Sequence, residues 1–93
     1  MKRIIKNPFT IKYPKIDLHG ETTDTITYLI NDFINDNIKL KNKNIEIIHG
    51  KGSGKLKTKT HELLKKNKKV NSYYMDIFNE GSTIVELNID SLK

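Results

Sequence analysis

The amino-acid sequence predicts a two-layer α/β sandwich: two helices packed on a mixed four-stranded sheet, in the order β-α-β-α-β-β. Three observations carry that prediction. One stripe of apolar residues recurs at helical spacing from Ile26 to Ile38. Short runs rich in isoleucine and valine lie on either side of it. Glycines punctuate the chain where strands would give way to helices. At 93 residues there is room for one domain, with a modest core in which each large apolar residue counts.

Residues 1–14 show no period and contain Pro8 and Pro14, so they read as a basic arm ahead of a domain spanning 15–93. Ile16 to His19 is the first strand, ended by Gly20. Ile26, Leu29, Ile30, Phe33, Ile34 and Ile38 then form one continuous helical face. Thr22 or Thr23 suits its N-cap, and Asp24 suits the positive end of its dipole. The polar run Lys41 to Asn44 stops this helix.

Asn44 to Ile48 reads as a second strand, covered on both faces because it shows little alternation. A second helix begins near Lys55, with a thin apolar side of Leu56, Thr60, Leu63 and Leu64. His61 falls off that side and is expected on the surface. Val70 to Ile77 is a third strand, Phe78 to Ser82 a turn, and Thr83 to Ile89 a fourth strand with Val85, Leu87 and Ile89 on one face. Right-handed crossovers make the first three strands parallel and the fourth antiparallel, the last two forming a hairpin. Both helices are expected on one face; the order of strands in the sheet does not follow from the sequence.

Composition narrows the function classes. The absence of cysteine excludes disulfides, thiolate zinc sites and thiol nucleophiles, and suits a reducing cytoplasm. No run of about 18 apolar residues exists to span a membrane, and the basic start lacks the apolar stretch of a secretory signal. The net charge is +6. Between Lys51 and Lys69 stand eight lysines and a single acid, Glu62, a local excess larger than that of the whole chain. A field of one sign draws polyanions. A solvated helix face would show a similar run, but this one adjoins a glycine loop.

Ligands of parallel α/β sheets gather at the carboxyl ends of the strands. Asp17 and His19 close the first strand, two residues apart and so on one face, and His49 closes the second. The loop Gly50-Lys51-Gly52-Ser53-Gly54 follows and feeds the second helix. Its backbone N–H groups, the helix N-terminus, Lys51, Lys55, Lys57 and the Ser53 hydroxyl together suit a phosphate. The Walker spacing is absent, so nucleotide hydrolysis is not expected. His19 and His49 are candidates to share acid and base work near neutral pH. Asp17 is a candidate to orient His19 or to attract Mg²⁺ or Mn²⁺, though one carboxylate is a poor basis for such an ion and metal-independent chemistry is favoured.

Asp17-Leu18-His19-Gly20 and His49-Gly50-Lys51-Gly52-Ser53-Gly54, with Thr22 at the first helix cap and Leu56 after the loop, resemble the two motifs of the Smr (small MutS-related) domain family. The resemblance runs from Ile16 to Ile89. It implies the same sandwich, nucleic-acid binding, and endonuclease activity that nicks DNA or cuts RNA, with messenger RNA on stalled ribosomes among the substrates. It also implies that Asp17 and His19 are catalytic and that the glycine loop binds substrate. One departure stands out: many members have a glycine-rich turn before the last strand, where this chain keeps Gly81 alone. Two other readings compete with an endonuclease: a module that binds nucleic acid without cutting, and a protein-interaction adaptor at the ribosome.

Overall fold

A computed structural model describes residues 12–89. Most of the expected arm, residues 1–11, lies outside them, as do residues 90–93. The element order is β1 (Lys15–Asp17), α1 (Thr23–Lys39), β2 (Asn44–Ile48), α2 (Lys55–Lys66), β3 (Val70–Asp76) and β4 (Asn79–Leu87). The sheet runs β1-β2-β4-β3. β1 pairs parallel with β2, while β4 pairs antiparallel with both β2 and β3. The first three strands therefore share one direction and β4 opposes them, as expected. What the sequence did not reveal is that β4, the last strand among the described residues, slots between β2 and β3.

α1 forms because its apolar stripe meets the sheet. Ile26, Ile30 and Ile34 are fully buried, and Ile38 nearly so. Full burial of such a side chain contributes about 1.5–3 kcal/mol. They pack with Ile45 and Ile47 of β2, Val85 and Leu87 of β4, and Leu64 of α2. Both helices thus cover one face of the sheet. The helix ends where Lys41 turns left-handed (φ 61°), with Lys41 N–H donating to the Ile38 carbonyl and Asn42 N–H to that of Asn37. On the other face Lys15 meets the carboxylate of buried Glu46 at 3.1 Å.

Three boundaries differ from expectation. β1 stops at Asp17, so His19 sits in a turn and not on a strand. β3 ends at Asp76, and Ile77-Phe78 alone make the hairpin turn, because Asp76 pairs with Asn79 across the strands. The Asp76 carboxylate accepts from the Phe78 N–H at 2.9 Å, which fixes the turn. Asn79 to Ser82, read from its polar residues as a turn, is the start of β4. The pairing outweighs local propensity there.

Candidate functional site

Because β1 and β2 are parallel neighbours, their carboxyl ends lie side by side. Leu18 N–H donates to the Ile48 carbonyl at 2.7 Å, and the chain then turns, Glu21 N–H reaching the Leu18 carbonyl at 3.0 Å. Asp17 shapes that turn: its carboxylate accepts from the His19 backbone N–H at 2.9 Å. The carboxylate therefore holds the histidine's main chain, where the sequence suggested a hold on its ring. The exposed His19 ring lies against the glycine loop, its Cδ2 3.9 Å from where a Cβ on Gly50 would be. The two His-Gly motifs meet in space.

The loop is fastened to β4 at one end and open along the rest. His49 N–H and Gly50 N–H both donate to the Gly81 carbonyl, at 2.8 and 3.0 Å. Gly81 permits this approach, since a Cβ there would stand 3.3 Å from the Gly50 carbonyl carbon. Beyond Gly50, the N–H groups of Lys51, Gly52, Ser53 and Gly54 have no acceptor among the described residues. Gly54 caps α2 in the left-handed region (φ 85°) with no side-chain cap, and the first turn holds no acid. Orphan donors and the positive end of the helix dipole face outward together.

A cavity of about 220 Å³ joins the motifs, lined by His19, Gly20, His49, Gly50, Gly52–Gly54, Lys55, Leu56 and Lys57 and by no carboxylate. Two larger concavities also touch the loop. One, between the helix starts, is lined by Asp24 and Glu62; the other, toward the hairpin, by Asp76 and Glu80. Size favours those two, but charge favours the smaller one for an anion. Exposed Lys51, Lys55 and Lys57 have no acidic partner among the described residues, whereas Glu62 pairs with Lys59 and Lys66. Asp17 does not line the small cavity, and no group of three metal-binding side chains gathers among the described residues. A divalent ion here would draw most of its ligands from water and phosphate.

His49 also borders the small cavity but is almost wholly buried. It is 3 % exposed. Its Nδ1 lies 3.0 Å from the Gly50 carbonyl oxygen and its Nε2 2.9 Å from Thr83 Oγ1. With both ring nitrogens engaged, His49 is poorly placed to exchange a proton with a ligand. His61, expected on the surface, is half-buried: its Nε2 lies 2.8 Å from the same Thr83 hydroxyl and its ring packs on Tyr73 at 5.2 Å. The sequence reading missed it because α2 presents a partly polar face, with Thr60 and His61, to the sheet. Burial lowers the pKa of both histidines below the usual 6.5, and both stay neutral. Thr83 carried a signal: it shares strand phase with Val85 and Leu87, so it faces inward.

Comparison with known proteins bears on the whole of this region. The Smr domain family matches residues 16–88. The chain is 35% identical over 74 residues to an endonuclease MutS2 of Halothermothrix orenii, covering 80% of this chain and 9% of that protein. It is 36% identical over 78 residues to an endonuclease MutS2 of Thermotoga neapolitana, covering 81% and 10%. The chain thus spans about a tenth of the length of these relatives. Among solved structures it resembles the Smr domain of Thermus thermophilus MutS2, with a TM-score of 0.78 and 26% identity over 81% of this chain and 98% of that one. It also shares its fold with YdaL, a stand-alone small MutS-related protein from Escherichia coli, with a TM-score of 0.77 and 22% identity over 86% and 70%.

Proposed function

This chain belongs to the Smr domain family, and from that premise we propose that it is a nucleic-acid-binding endonuclease that cleaves RNA or nicks DNA. The observation that carries the proposal is the run of four unpartnered N–H groups, Lys51 to Gly54, of which those of Gly52 to Gly54 belong to residues that line, with His19, a cavity free of carboxylates. A backbone phosphate seated there accepts from the loop, while Lys51, Lys55 and Lys57 meet its neighbours along the strand. On RNA, His19 takes the proton of the 2′-OH as that oxygen attacks the adjacent phosphorus. A 2′,3′-cyclic phosphate forms, and the leaving 5′-oxygen takes its proton from water. Loop N–H groups stabilise the charge that builds on the phosphoryl oxygens. Asp17 is a positioning residue acting through the His19 main chain, and His49 supports the loop.

One observation favours binding without cutting. Asp17 spends its carboxylate on a backbone N–H, and His49, though it borders the cavity, is buried with both ring nitrogens engaged, which leaves His19 as the exposed candidate proton carrier. A reducing cytoplasm, with ribosome-bound RNA among its polyanions, suits both readings. We take residues 15–93 as the domain and residues 1–14 as an arm that adds positive charge.

Incubating the chain with labelled RNA and DNA, in EDTA or with Mg²⁺ or Mn²⁺, beside a His19→Ala variant, separates the readings. The endonuclease proposal expects cleavage that His19→Ala reduces by about 100-fold or more. Cleavage indifferent to His19→Ala overturns the site. Binding that weakens steeply between about 50 and 200 mM salt, with no cleavage in any condition, establishes the module instead.

A further inference from the structure

His49, Thr83 and His61 come from three different elements and meet around one hydroxyl. Thr83 Oγ1 lies 2.9 Å from His49 Nε2 and 2.8 Å from His61 Nε2. Thr83 is fully buried, and the two rings stand edge to face, 5.9 Å apart. The proton positions follow from elementary bonding rules. The Gly50 carbonyl can only accept, so His49 Nδ1 carries a proton and donates to it. A neutral ring then has a bare Nε2, which accepts from the Thr83 hydroxyl. That hydroxyl owns one proton, so toward His61 it accepts, and His61 carries its proton on Nε2. Met75 Sδ, 3.6 Å from Thr83 Oγ1, is too weak an acceptor to divert the hydroxyl from an imidazole. Every donor in the chain points the same way: His61 to Thr83, Thr83 to His49, His49 to the Gly50 carbonyl.

The last bond has a consequence on the other side of the peptide. No peptide in the described chain is cis, so the Gly50 carbonyl and the Lys51 N–H point in opposite directions. Holding the carbonyl inward against buried His49 turns the Lys51 N–H outward. Gly50 N–H is itself fixed by Gly81, so the whole turn is clamped. A bond accepted at the carbonyl also polarises that peptide and strengthens its N–H as a donor. We propose that His61 and Thr83 are positioning residues for anion binding: through His49 they fix the Gly50–Lys51 peptide and so hold the Lys51 N–H outward on the hairpin side of the glycine loop, where it joins the loop's other donors around a phosphate. Burial, which keeps both imidazoles neutral, and the ammonium of Lys57 near both of them preserve this pattern of protons at neutral pH. The inference rests on the loop's being a phosphate site, and its test is divided so that the two can fail separately.

On the ligand-free full chain, long-range ¹H–¹⁵N NMR reads the tautomers: His49 with Nδ1–H and a bare Nε2, His61 with Nε2–H. His49 found with its proton on Nε2 overturns the relay. Thr83→Val keeps the side chain's shape and removes the hydroxyl. It is expected to shift the Lys51 amide and to weaken binding of inorganic phosphate and of a fluorescein-labelled oligouridylate about threefold to tenfold. Thr83→Ser restores both. If Thr83→Val does not fold, His61 supplies the test: His61→Gln retains an N–H donor and binds as wild type, while His61→Phe retains packing on Tyr73, frees the Thr83 hydroxyl to turn, and binds more weakly than His61→Gln. Equal affinity in all folded variants overturns the proposal. Should the wild type bind neither probe, the phosphate reading fails, and the relay is judged by the tautomers and by the Lys51 amide alone.

Discussion

The two helix N-termini occupy equivalent places, each following the carboxyl end of a parallel strand on the same sheet edge, yet the chain treats them in opposite ways. At α1 every device is internal. Thr22 caps the Thr25 N–H, and Thr25 Oγ1 accepts in return from the Thr22 N–H. Asp24 sits in the first turn and Glu21 accepts from Thr25. At α2 the cap is a left-handed glycine, the first turn has no acid, and the loop before it carries four N–H groups without acceptors among the described residues. The dipole is the same in both helices. One is answered by the protein's own oxygens and the other has no such answer among the described residues.

The largest effect is expected from giving α2 what α1 already has. Ser53→Asp places a carboxylate beside the free donors and Lys55. Its dissociation constant for a labelled oligonucleotide should rise at least about tenfold by fluorescence anisotropy, with thermal stability kept or raised. Unchanged affinity would mean that the open terminus is not the binding site. The reverse exchange breaks the closed terminus: Thr22→Ala should cost about 1 kcal/mol in urea unfolding and leave oligonucleotide affinity unaltered. Lost affinity in a fully folded Thr22→Ala chain would show that α1 also takes part in binding.

The smallest effect concerns pH. His49 and His61, on the α2 side, have pKa values lowered from 6.5 by burial. The unfolded chain therefore takes up protons that the folded one refuses. Their stabilising contribution is complete above the unfolded value and is lost as pH falls through the lowered folded values. Melting temperature should decline as pH drops from about 7 to 5, less steeply in His61→Gln, which removes one of the two groups. An identical slope in that variant would show that His61 is not neutral for the reason given.

Much of this architecture was legible because periodicity and topology are local statements. Six isoleucine, leucine and phenylalanine positions at helical spacing marked α1 and its buried face, and the crossover rule gave the strand directions. The site was legible to the level of the loop: parallel pairing of β1 and β2 brought His19 to Gly50 as topology required. Three things were not. The insertion of β4 between β2 and β3 depends on long-range pairing that no local pattern encodes. The polar run Asn79–Ser82 looks like a turn until its pairings are known, Asn79 with Asp76 of β3 and Ser82 with Ile48 of β2. His61 is enclosed by burial and bonded to Thr83, a residue 22 positions away that only the fold supplies.

The position of β4 also sets an order of assembly. Gly81 and Thr83, which clamp the glycine loop, belong to β4, whose hairpin with β3 must dock on distant β2 before the clamp exists. Pairings of such sequence separation close late. A chain emerging from synthesis can build α1, β2 and even α2 while its loop still lacks the fixed Gly50–Lys51 peptide. Pulsed hydrogen exchange should show protection of the Gly50 amide arriving with β4 and not with β2. Fixing of the glycine loop is then a late event of folding, so incomplete chains carry the lysines without the clamped loop.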